Sequence, residues 1–285
     1  MQTFVEKLKH AQEISGSMMI VGLDFDEKKV PGEITELFHI SPDAAIEKFN
    51  RTIVEVTAER CCGWKPNLAF YESQGRKGWK ALERTVRYIR QICPNHVIIL
   101  DGKRNDIGNT AEQYAAALYG IGGDAVTWNP YMGNETAQPF FDLHLGVFGL
   151  CLTSNPGSAD YQSLPVQPAV SADQPIMPVY MHVAIQSTGA FGASGNYGLV
   201  VGATKPAQLA EIRAAVGPDI PLLIPGLKTQ GGEAAAIIAA NNGGLAVVNV
   251  SRSVLYASRE ADWAQAAKAE AQKTNDELNE LRATA

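Results

Sequence analysis

Short unbroken apolar runs and longer stretches of helical spacing take turns along this chain. Residues 3–15 put Phe4, Val5, Leu8, Ala11 and Ile14 on one face of a helix that Gly16 closes. The run 18–23 has the pattern of a strand buried on both faces, and it ends at Asp24. A polar, proline-containing loop then leads to Ser41-Pro42-Asp43, a helix start with a capping hydroxyl, proline at the first position and an acid in the first turn. That helix runs to about Arg60. A shorter strand at 61–66 carries Lys65 near its end, and a helix at 78–93 places Trp79, Leu82, Val86, Ile89 and Ile92 on one side. The third strand is 96–100.

The alternation continues with helices at 111–118 and 135–143, and strands at 124–128 and 146–152. The stretch from Ser158 to Pro178 is rich in Pro, Ser, Gln and Asp and reads as a surface loop. A helix at 179–187, a flexible turn from Gly189 to Gly195, a strand at 198–201 and a helix from Thr204 to Val216 follow. The strand 221–224, the helix 233–241, the strand 245–249 and a long helix at 261–282 complete the series. Strictly alternating βα units imply a parallel sheet, and eight of them in 285 residues imply a closed TIM (β/α)8 barrel. The reading is one α/β domain over residues 1–285, with an added helix at the N-terminus and a long one at the C-terminus. A doubly wound open sheet is the alternative, but no Gly-x-Gly-x-x-Gly follows the first strand.

A barrel brings all its strand exits to one mouth, so polar residues at those exits are expected to meet. The third strand is the most conspicuous. It leaves its apolar run into Asp101-Gly102-Lys103-Arg104-Asn105-Asp106, four charges and an amide within six positions. On a strand, residues i and i+2 face the same way, so Asp101 and Lys103 should project together, with Asp106 on the loop beyond. Such crowding is costly unless the charges pair or meet a ligand. A lone Asp-x-Lys would be read as a surface turn with a salt bridge. Asp24, Lys65, Ser154, Gln230 and Arg252 stand at other exits. The first three have a plain alternative: Asp24 as a turn former, Lys65 as a solvated side chain, and Ser154-Asn155-Pro156-Gly157 as ordinary turn chemistry.

The last two loops sharpen the picture. Barrels of this kind commonly bind phosphate there, on backbone N–H groups and a short helix start. The seventh loop holds Gly226 and Gly231-Gly232, and the eighth Ser251-Arg252-Ser253, where glycine permits close approach and arginine offers a fork to phosphate. A phosphorylated small molecule is the expected ligand.

Composition removes several other classes. With 46% apolar and 19% charged residues the chain is an ordinary globular one, and a net charge of −6 argues against a general nucleic-acid surface while allowing a local basic pocket. Cys61, Cys62, Cys93 and Cys151 show no C-x-x-C spacing, and read as reduced, buried thiols without a zinc site or disulfide frame. No apolar run nears membrane-spanning length and residues 1–6 lack a signal pattern, so a cytoplasmic protein with no membrane contact is expected.

Asp101-Gly102-Lys103-Arg104-Asn105-Asp106-Ile107 followed by Thr110 resembles the D-x-K-x-x-D-I signature of the orotidine 5'-phosphate decarboxylase family. Lys65-Pro66-Asn67, Pro225-Gly226 through Gln230-Gly231-Gly232, and Val250-Ser251-Arg252 match the same family in the same order. The long loops and residues 198–204 resemble its longer bacterial, type 2 branch. One departure is Ser251-Arg252-Ser253, where many relatives have Gly-Arg-Gly or Gly-Arg-Ser. The resemblance implies decarboxylation of orotidine 5'-monophosphate to uridine 5'-monophosphate in pyrimidine biosynthesis, with no metal and no organic cofactor. It implies a catalytic array of Lys65, Asp101, Lys103 and Asp106, in which Lys103 stabilises and then protonates the C6 carbanion. By the same resemblance Asp24 and Lys65 contact the ribose, Ser154 the pyrimidine amide edge, and Gln230 and Arg252 the phosphate. Asp106 and Thr110 would reach the neighbouring subunit's site in a homodimer. The nearest rival is a related Mg²⁺-dependent β-keto sugar-phosphate decarboxylase, which places a glutamate where this chain has Lys65, a cation that would repel the metal. A non-catalytic sugar-phosphate or nucleotide sensor is the other alternative.

Overall fold

The computed structural model describes residues 2–167, 175–227 and 232–284. Strands β1 (Met19–Gly22), β2 (Gly63–Lys65), β3 (Val97–Arg104), β4 (Ala125–Trp128) and β5 (Gly146–Leu152) come first. A two-stranded antiparallel pair, β6 (Pro165–Val166) with β7 (Met177–Pro178), lies inside the stretch read as a plain loop. Strands β8 (Tyr197–Val201), β9 (Leu222–Pro225) and β10 (Ala246–Val250) complete the set. All but β6 and β7 close into one parallel barrel in the order β1-β10-β9-β8-β5-β4-β3-β2. The (β/α)8 expectation holds.

The barrel interior is apolar. Ile20, Val97, Ile99, Ala125, Phe148, Val200, Leu223 and Val247 form one buried cluster with Phe4, Leu8 and Ala11 of the first helix, Phe4–Ser15. That helix covers the end of the barrel where the strands begin. Phe4 meets Phe148 edge-on, with centroids 5.5 Å apart, and a Cβ on Gly146 would fall 2.4 Å from the Phe4 ring. A second, larger cluster fills the space between the sheet and the outer helices.

Two-residue alternation then carries the inward face to the opposite end. One step past Ile99 lies Asp101, past Ala125 lies Thr127, and past Val247 lies Asn249, while Gly22 pairs in register with Lys65. The top of the core is therefore polar where its floor is apolar.

Several boundaries differ from the sequence reading for local reasons. Helix Gly32–Ile40 occupies part of the presumed loop before Ser41, burying only Ile34 and Phe38, too few positions to set a period. The stretch read as one helix at 135–143 is a 3₁₀ turn, Asn134–Ala137, followed by a short helix, Gln138–Asp142, restarted by Pro139 near its first position. Helix Val179–Phe191 runs into the predicted flexible turn, since Phe191 packs against Phe141, Tyr197 and Trp128, and a 3₁₀ turn, Gly192–Ser194, follows. Strand β3 runs four residues past the apolar run. Its end is held to β4 by Asn129 N–H donating to the Arg104 carbonyl.

Candidate active site

Asp101 is the hub of the polar layer. Its Oδ2 accepts from Lys65 Nζ at 2.7 Å, and its Oδ1 accepts from Lys103 Nζ at 2.7 Å and from Thr127 Oγ1 at 2.9 Å. Lys65 and Asp101 are 3% and 8% exposed, whereas the Lys103 side chain is 47% exposed. Burial alone would push the Asp101 carboxyl upward. The charges of Lys65 and Lys103 and their hydrogen bonds outweigh it and hold the group far below the usual carboxylate range. Burial likewise opposes the charge on Lys65, but Asp101 and then Asp24 more than offset it, so the ammonium titrates above its ordinary value.

The approach of Lys103 to Asp101 does not come from simple alternation. Lys103 has φ +49°, the left-handed region, and the β3–β4 register shifts between Leu100 and Arg104. Its N–H donates to Thr127 Oγ1 at 2.8 Å. The hydroxyl of Thr127 thus links the backbone of one charged residue to the carboxylate of the other. Nothing in the sequence marks Thr127, because a threonine inside an apolar strand carries no distinguishing pattern.

Asp24 stands at the exit of β1, with Oδ2 accepting from Ser251 Oγ at 2.5 Å and Oδ1 buried without a partner among the described residues. It lines a cavity of about 840 Å³ together with Phe70, Gly226, Asn249, Ser251, Arg252 and Tyr256. Arg252 is exposed at the start of the short helix Arg252–Leu255. Gly226 needs its left-handed φ of +90°. Ser154 is half-buried at the β5 exit and closely backed by Gly202, where a Cβ would fall 2.6 Å from the Ser154 nitrogen. Asn249, Tyr256 and Thr127 are additions the sequence reading lacked.

Asp106 is brought near β3's end but not into the array: its Oδ1 accepts from the Ile107 N–H, and it forms no ion pair among the described residues. Thr110 is exposed. Gln230 lies outside the described residues. Among those residues no group of three His, Cys, Asp or Glu side chains is placed to hold a metal, and no helix is long and apolar enough to cross a membrane. All four cysteines are free and buried.

A parallel barrel whose mouth carries an ion-paired Lys–Asp–Lys array and a glycine- and arginine-lined cavity has the form of a (β/α)8 enzyme for a small anionic substrate. The orotidine 5'-phosphate decarboxylase / HUMPS family model matches residues 17–269. A Paracidovorax citrulli protein named orotidine 5'-phosphate decarboxylase is 41% identical, the match covering 98% of this chain and 99% of its own length. One of the same name from Polaromonas naphthalenivorans is 42% identical, with 99% and 97% covered. The solved structure of Leishmania donovani OMP decarboxylase aligns over 100% of both chains with a TM-score of 0.80 and 33% identity. The chain belongs to the orotidine 5'-phosphate decarboxylase family, and it is a carboxy-lyase.

Proposed function

We propose that this protein converts orotidine 5'-monophosphate to uridine 5'-monophosphate in pyrimidine biosynthesis, without metal or organic cofactor, using Lys103 as the acid. The observation that carries the reading is the shared carboxylate of Asp101, held by two ammonium groups at once. Loss of CO₂ leaves an electron pair at C6 that the ring delocalises poorly. A fixed cation there stabilises it, and an ammonium can then deliver a proton to it. Asp101 stays ionised and so has no proton to give. Lys65 is buried behind it. Lys103 is the member of the array with an open face, and Asp101 keeps it oriented at the site of the departing carboxylate.

The remaining roles follow from position. Asp24 and Lys65 would read the ribose hydroxyls, Ser154 the amide edge of the pyrimidine, and Arg252 with Gln230 the phosphate. Cofactor independence is supported by the ion pairing itself, because both oxygens of Asp101 are already engaged by cations and Lys65 opposes a divalent metal. A cytoplasmic homodimer is part of the same reading, with Asp106 and Thr110 completing the partner's site. Its support is the exposed apolar side chain next to Asp106, Ile107, which is 56% exposed.

Following the absorbance of orotidine 5'-monophosphate with purified protein in excess chelator tests the proposal. Turnover at an undiminished rate is expected. Loss of turnover restored by Mg²⁺ would move the protein to the metal-dependent sugar-phosphate decarboxylases, and absence of turnover in either condition would favour a sensor.

A further inference from the structure

The segment that carries Arg252 is fastened to the loop after β1 at two points. Ser251 Oγ donates to Asp24 Oδ2 at 2.5 Å. Five residues on, Tyr256 OH donates to the Asp24 carbonyl at 2.5 Å while accepting from the Asp26 N–H at 2.8 Å. Between these points runs a single helical turn, whose Leu255 N–H returns to the Ser251 carbonyl at 2.9 Å.

The β1 loop is anchored from its other side as well. Tyr71 OH donates to the Leu23 carbonyl at 2.8 Å, and Leu23 N–H donates to the Lys65 carbonyl at 3.2 Å. The clasp is not needed to join the strands, because β1 and β10 already pair from Met19↔Val248 to Val21↔Val250. It lies one step beyond the last pair, at the mouth. Gly22 makes room for it: a Cβ there would fall 2.6 Å from Ser251 Oγ. With Oδ2 held by Ser251, the rotation of the Asp24 carboxylate is fixed, and Oδ1 is left as its free acceptor.

We infer that Ser251 and Tyr256 are positioning residues that couple Arg252 to Asp24. A phosphate ester seated at Arg252 bears on the turn Arg252–Leu255, and the two clasps relay the turn's position to the carboxylate that reads the sugar. A contact remote from the reacting carbon is thereby made to organise the ribose end of the site. The hydroxyl-to-carboxylate bond is the charge-assisted kind, strong enough to set a rotamer. The inference rests on the reading of Arg252 as a phosphate contact and Asp24 as a ribose contact.

A double-variant cycle on the full chain tests it. Arg252→Ala examines the underlying reading: it should weaken uridine 5'-monophosphate and leave uridine, which has no phosphate, unchanged. If both or neither weaken, that reading fails, and the coupling with it. Ser251→Ala should lower kcat/KM about tenfold in the wild-type background and less than about twofold when Arg252 is already alanine. Tyr256→Phe should repeat the pattern. Ser251→Thr, which keeps a hydroxyl, should recover most of the loss. If Ser251→Ala does not fold, Ser251→Gly takes its place in the cycle. An equal factor in both backgrounds, or no effect in either, overturns the coupling even where the Arg252 result stands.

Discussion

Thr127 binds Asp101 from the neighbouring strand, its Oγ1 donating to Oδ1 at 2.9 Å while it accepts the Lys103 N–H. Thr127→Val keeps the shape and removes both bonds. The left-handed backbone at Lys103 then loses a restraint, and a partly buried N–H loses its acceptor. A stability loss of about 1–3 kcal/mol is expected, with a fall in kcat/KM of at least tenfold. Thermal melting and steady-state kinetics check both, and Thr127→Ser should retain most of the wild-type behaviour. An unchanged kcat/KM in Thr127→Val would mean that Lys103 holds its position without it.

Asp101 and Lys65 make a prediction about pH. Asp101 titrates below its ordinary value, so its stabilising contribution is full above the unfolded carboxylate pKa and is lost as pH falls through the native one. Lys65 titrates above its ordinary value, so its contribution is full below the unfolded lysine pKa and is lost as pH rises through the native one. Asp101→Asn leaves Lys65 buried without its main counter-charge, at a cost of about 3–5 kcal/mol near neutrality. The same variant drops the Lys65 pKa, since burial is then opposed only by Asp24. The deficit relative to wild type should therefore be largest near neutral pH and begin to shrink as pH rises through the variant's lowered Lys65 pKa, below the unfolded value of roughly 10.4. Melting curves across that range measure it, and a constant deficit would show that Lys65 keeps its charge without Asp101.

Arg252→Ala should impair catalysis through a group distant from C6. Removing a charged hydrogen bond is expected to cost roughly 2–4 kcal/mol in kcat/KM. Kinetics equal to wild type would place the phosphate elsewhere in the mouth.

Asp106 has no ion pair among the described residues, which sets up a test of subunit sharing. Lys103→Ala and Asp106→Ala chains should each be nearly inactive alone. If Asp106 completes the partner's site, mixing gives heterodimers with one doubly defective site and one intact. Random exchange makes about half the dimers mixed, so about a quarter of the sites should recover. With exchange verified by a mass tag, no recovery would mean that Asp106 serves its own chain.

The parts of the site legible in the sequence were those that a rule of spacing can reach. Asp101 two residues before Lys103, and Lys65 at the end of the preceding strand, meet because a closed barrel brings adjacent strand exits together. The rest depends on groups distant in sequence. Nothing near Lys103 announces its positive φ, which is tied to a hydroxyl on the next strand. Ser251 stood out only as a departure from glycine, and its bond to Asp24 joins the last strand's exit to the first. Helix Gly32–Ile40 escaped notice because two buried side chains do not make a period. Strand order and element type are carried by repetition along the chain, whereas a rotamer or a clasp is carried by a single contact across it.

The helix Phe4–Ser15, packed across the lower end of the barrel with Phe4 against Phe148, makes traffic through this protein one-ended. In the proposed reaction the nucleotide, the carbon dioxide and the proton that reloads Lys103 would all share the doorway ringed by the strand exits. A bound product would stand in the path of the released gas and of the incoming water.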